Sequence, residues 1–162
     1  MTRTLLTLAG LLAACSTHAT APQPAPATTT SDADLALVVR RLSVQHPSDD
    51  CDALVAELGQ PREALKRAVE EISMPPWVGM ISGQCLARRF AIDEEATLKA
   101  WLTDPERAGL ARAVVRELPR IQDEAVVLRI GAAALITEHA ALTRQVLGAD
   151  PRPAVATLAA TP

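Results

Sequence analysis

Short amphipathic blocks closed by proline or glycine follow one another along most of this chain, and they constrain its fold more than any other feature. Leu35, Val38, Val39 and Leu42 fall at the i, i+3, i+4, i+7 spacing of one buried helical face, with Ser31 or Asp32 placed to cap it and His46-Pro47 to end it. Ser48, Asp49 or Asp50 opens a second block that runs through Leu58 and is closed by Gly59. Pro61 stands where a helix tolerates proline, in its first turn, and a third helix runs to about Ile72 before Met74-Pro75-Pro76 breaks it. A fourth helix is expected over 77–90, and a fifth from near Asp93, with Ile92, Leu98, Trp101 and Leu102 as its apolar members. Asp104-Pro105-Glu106 combines a capping carboxylate, a first-turn proline and an acid at the positive end of the helix dipole. The sixth helix then buries Leu110, Ala113, Val114 and Leu118. A seventh starts at Gln122 or Asp123 and runs to about Ile136, and an eighth runs from Thr137-Glu138 to Gly148.

The side chains available suit such helices. Hydrophobic residues make up 49% of the chain, mostly Ala, Leu and Val, while aromatics are 2% and tyrosine is absent, so the core must be built from small aliphatic groups. The expectation is an all-α domain of about 7–8 helices over residues 33–148. The segment 15–32 and the tail 149–162 are rich in Ala, Thr and Pro and have little to bury. Both are expected to be disordered, and His18 within the first is expected to be inert.

Two internal echoes bear on how the helices are arranged. Ile92-Asp93-Glu94-Glu95-Ala96 returns 29 residues later as Ile121-Gln122-Asp123-Glu124-Ala125, and Leu65-Lys66-Arg67-Ala68-Val69 returns 45 residues later as Leu110-Ala111-Arg112-Ala113-Val114. Helix pairs at such a spacing, joined by an Asp-Pro turn, resemble HEAT-like repeats, best over residues 85–136. The resemblance implies a short α-solenoid in which neighbouring units share one core. An irregular helical bundle built from the same vocabulary is the alternative.

Three cysteines are present, Cys15, Cys51 and Cys85. Ahead of the first lies Arg3 and then an uncharged run, Thr4 to Ala14, which has the length of a signal-peptide core and is far short of the roughly 20 apolar residues of a spanning helix. Leu12-Ala13-Ala14-Cys15 resembles the lipobox of bacterial lipoproteins. The resemblance implies cleavage between Ala14 and Cys15, lipidation of Cys15, and a mature chain held to the membrane by its acyl chains and facing the periplasm. Ser16 after the cysteine leans toward the outer membrane. Residues 1–14 would be the signal peptide and 15–32 the tether. In an oxidising compartment the remaining pair, Cys51 and Cys85, is expected to form a disulfide closing a loop of about 35 residues, worth about 3–4 kcal/mol.

Other chemistry finds little support. Losing residues 1–14 removes Arg3 and moves the formal charge from -3 to -4, and a weakly acidic chain argues against nucleic acid and against a polybasic membrane contact. A zinc set of His46, Cys51, Cys85 and His139 lacks any recognised ligand spacing. No C-x-x-C pair, phosphate loop or nucleophile elbow is present, and Glu94/Glu95 and Asp123/Glu124 read as helix-start charges, so no catalytic residue, metal or cofactor is assigned. Trp77, after two prolines, is the one candidate partner contact, though such a tryptophan also commonly covers the end of a helical core. The reading is a non-enzymatic lipoprotein whose helical domain binds an envelope protein. A pilotin-like assembly factor for an outer-membrane complex is the alternative, and a periplasmic enzyme of unfamiliar type is a third reading with no motif behind it.

Overall fold

The computed structural model describes residues 30–44, 47, 50–73 and 75–160, and these are all-helical. Nine α-helices follow in order: α1 Thr30–Leu42, α2 Cys51–Ala56, α3 Pro61–Glu71, α4 Pro76–Phe90, α5 Glu95–Thr103, α6 Ala108–Glu117, α7 Glu124–Leu135, α8 Ala140–Gly148 and α9 Pro153–Ala160. Short 3-10 turns, Pro105–Arg107 and Leu118–Arg120, lead into α6 and out of it.

The breaks fall where proline and capping carboxylates demand them. Pro61 and Pro76 begin α3 and α4, where their missing N–H has no intrahelical partner to lose. Asp50, Asp104 and Asp123 each accept a backbone N–H of the turn they open, from Ala53, Glu106 and Val126 at 3.0, 2.9 and 2.9 Å. Two starts shift from expectation. Thr30, the first described residue, is already helical, so Ser31 and Asp32 lie within α1 and not ahead of it, and α8 begins at Ala140 with His139 at its N-cap.

Helices pack chiefly on near neighbours in the chain. Helix α1 lies on α3 and α4, and α3 on α4; beyond them α4, α6 and α8 form one row, and α5, α7 and α9 a second. The rows are joined through the α5/α6, α7/α8 and α8/α9 contacts. One apolar core runs the length of this stack, from Val38 and Leu42 through Leu65, Leu86, Leu98, Leu102, Val114 and Ile130 to Leu147 and Val155. Buried alanines, including Ala64, Ala68, Ala87, Ala111 and Ala134, keep the helices close. At Gly131 the approach is closer still: a Cβ there would lie 2.8 Å from Leu147 Cδ1 and 3.3 Å from Leu158 Cδ2.

The 29-residue echo falls on equivalent places, the starts of α5 and α7, which are neighbours in one row. The 45-residue echo does not, since it relates α3 to α6.

The C-terminal tail is corrected by the structure. Residues 153–160 form α9, with Val155 and Ala159 buried on α7 and α8. A hydrogen-bonded arginine holds the connection. Arg152 donates twice to Asp150, at 2.8 and 2.6 Å, and also to the carbonyls of Ile121 and Leu118, at 2.8 and 3.3 Å. The sequence suggests disorder because PAVATLAA has no charge contrast; what orders it is a surface supplied by residues far away in the chain.

Candidate functional site

The predicted site residues separate into those outside the described part and those spent on the fold. Ala14 and Cys15, the cleavage and lipidation residues, lie outside the described residues, as do His18 and His46. Cys51 and Cys85 are joined in a disulfide, with their Cα atoms 5.1 Å apart and both side chains buried. The bond ties α2, a helix of only six residues, to the middle of α4. Because both sulfurs are used and His139 is buried at the start of α8, the imagined zinc set is not brought together. No group of three or more metal-ligating side chains occurs among the described residues.

Trp77 turns inward. Its indole N–H donates to the Leu42 carbonyl at 2.8 Å, meeting one of the unpaired carbonyls at the C-terminal end of α1, and its ring packs half-buried on the core. This is the core-covering role that the sequence set beside partner contact for Trp77.

A depression among the described residues lies where the α4–α5 turn meets the α6–α7 turn. It holds about 470 Å³ and is lined by Arg88, Arg89, Ile92, Asp93, Arg120 and Gln122 among others. The two turns are brought side by side because α5 packs on α7 and α4 on α6. Ile92 stands in the groove wall 66% exposed, a large apolar side chain with no core to cover it.

Beneath the groove, charges are tied pairwise. Glu117, with its side chain 2% exposed, accepts from Arg88 Nε at 2.9 Å and from Arg120 Nη1 at 2.7 Å, which joins the end of α4 to the turn after α6. Arg89 reaches Asp52 at 2.8 Å and holds α2 from its exposed side. Glu94, at the N-cap of α5, accepts from Thr97 at 2.7 Å and from Lys66 of α3 at 3.3 Å. Glu95 accepts a two-pronged contact from Arg129 of α7, at 2.9 and 2.8 Å, and pairs with Lys99. The Arg129 hydrogen bond, followed by that from Lys99, holds the Glu95 carboxyl at a pKa of about 2. The glutamates read as helix-start charges therefore also link one helix to another.

Sequence reasoning missed Glu117. Arg116-Glu117 at the end of an amphipathic helix resembles a solvated pair, and only the arrival of Arg88 from 29 positions upstream sets the two residues apart. A groove of guanidinium, carboxylate and amide groups beside one exposed isoleucine can offer charged hydrogen bonds and a small apolar contact to a partner. No helix among the described residues is long and apolar enough to cross a membrane. No protein-family model matches the chain, and neither a curated protein nor a solved structure matches it.

Proposed function

We propose that this protein is a bacterial lipoprotein, anchored at Cys15 to the periplasmic face of the envelope, whose helical domain is a protein-interaction module. The observation that carries the reading is the disposition of the three cysteines. Cys51 and Cys85 are bonded to each other, as suits an oxidising compartment, and Cys15 remains at the end of an apolar leader within Leu12-Ala13-Ala14-Cys15. Ser16 favours the outer over the inner membrane.

We read the domain itself as a short HEAT-like solenoid. Two rows of neighbour-packed helices and the coincidence of one echo with the starts of α5 and α7 support that reading. In such an array the edge formed by successive turns is a natural binding edge, and here it carries the groove beside Ile92. A photoreactive residue at Ile92 should give one discrete crosslinked protein in envelope preparations, and one at exposed Glu63 on α3 should give none. Equal or absent crosslinking at the two positions would sink the module reading.

A further inference from the structure

The charges of this chain are segregated by row. Helices α4, α6 and α8 together carry Arg88, Arg89, Arg112, Arg116 and Arg144 against a single carboxylate, Glu117, which is buried. The opposite row is balanced: α5 has Glu95 and Lys99, α7 has Glu124 and Arg129, and α9 has no charge.

Three of those arginines are unusual within the molecule. Every other described lysine or arginine except Arg40 pairs with a carboxylate. Arg112, Arg116 and Arg144 are exposed and make no ion pair among the described residues. Arg112 and Arg116 are one helical turn apart on one face of α6. Helix α6 is walled in by α4, α8 and α5, so its exposed side is the outer surface of the row, and Arg144 lies on the adjoining helix. The net charge of -3 conceals this surface, which is why composition argued against a polybasic membrane contact.

We propose that the outer surface of α6 and α8 lies on an anionic phospholipid surface, oriented by Arg112, Arg116 and Arg144. Charge complementarity carries the proposal. No exposed carboxylate lies within α6 or α8 themselves, the acids Glu106 and Glu138 standing in the turns ahead of them, and arginine forks match phosphate geometry. The proposal rests on Cys15 being the lipid anchor. Fifteen peptide units separate Cys15 from Thr30, a reach of at most about 50 Å. That exceeds the roughly 30–40 Å breadth of a domain this size, so any face can meet the bilayer. Anchoring also supplies the high effective concentration that lets a modest cationic face bind. The groove at Ile92 belongs to a turn edge, and this orientation leaves that edge open to a protein partner.

The test uses the full chain carrying Cys15→Ser, so that binding cannot come from acylation, with vesicles of phosphatidylcholine alone or of phosphatidylcholine and phosphatidylglycerol. Arg3 and the N-terminal amine give the leader a positive end of its own, so the comparison is made between chains that share that leader and differ only in the helix arginines. The expected result is preferential binding to the phosphatidylglycerol vesicles, weakening roughly fivefold for each arginine replaced in Arg112→Gln, Arg116→Gln and Arg144→Gln, and weakening in salt. Circular dichroism of the triple variant checks that it folds, and an Arg40→Gln control should retain the preference. Equal binding to both vesicles, or a preference that the triple variant keeps, overturns the proposal. Arginine-dependent binding to poly-glutamate without vesicle preference also overturns it, and assigns the face to an acidic protein. Failure of the lipoprotein reading shows separately, as missing acyl mass on Cys15 in the unsubstituted protein.

Discussion

Glu117 and Glu95 show how differently two glutamates of one sequence are used. Glu117 is almost fully buried and satisfied by two arginines, so removing its charge takes a carboxylate partner from both Arg88 and Arg120. Glu117→Gln is expected to lower stability by about 1–3 kcal/mol in urea unfolding, with solvent around Arg120 limiting the loss. Glu95 is a pH device by the sign of its shift. Its folded pKa of about 2 lies below the ordinary glutamate value of 4.5, so it binds its proton more readily once unfolded. The stability it contributes is complete above about pH 4.5 and is lost as pH falls toward 2. Asp150 is shifted downward too, first by its Arg152 hydrogen bond, and adds to the same acid loss. Thermal melts from neutral to low pH should show Glu95→Gln less stable than the parent at neutral pH and flatter through that acid window. Parallel curves would exclude a role for the Arg129 contact.

At the scale of elements, legibility followed locality. Pro61, Pro105, Asp104 and Asp123 act within one turn of themselves, and the breaks they predict are the breaks observed. The Cys51–Cys85 bond was legible too, because counting cysteines needs no geometry once Cys15 is set aside. Helix α9, the Leu42 carbonyl as the acceptor of Trp77 and the Arg88–Glu117 pair were not legible, because each depends on a partner about 30 or more positions away. The two kinds of element should respond differently to perturbation. Reduction of the disulfide, or Cys85→Ser, should cost about 3–4 kcal/mol in unfolding free energy by the chain-entropy estimate, and reductant should then leave the serine variant unchanged. Arg152→Ala should raise amide exchange in residues 153–160 while leaving α3 and α4 protected, since α9 packs chiefly on α7 and α8. Uniform deprotection of the whole chain would show instead that the helices unfold as one unit.

For the whole molecule, the stack of helices presents three surfaces with different chemistry: a turn edge with the Ile92 groove, an outer row with unpaired arginines, and an opposite row of balanced charge. Such an arrangement suits a domain held near a membrane with one edge left for a partner, and the account depends on the domain being tethered there. The most direct measurement is intact and N-terminal mass spectrometry of the protein from the membrane fraction of its host. The account predicts a mature chain beginning at Cys15 and carrying the added mass of a diacylglycerol and usually an amide-linked acyl group, with Cys15→Ser leaving the precursor unprocessed. A mature chain beginning elsewhere, or a Cys15 without acyl mass in correctly exported protein, would contradict it.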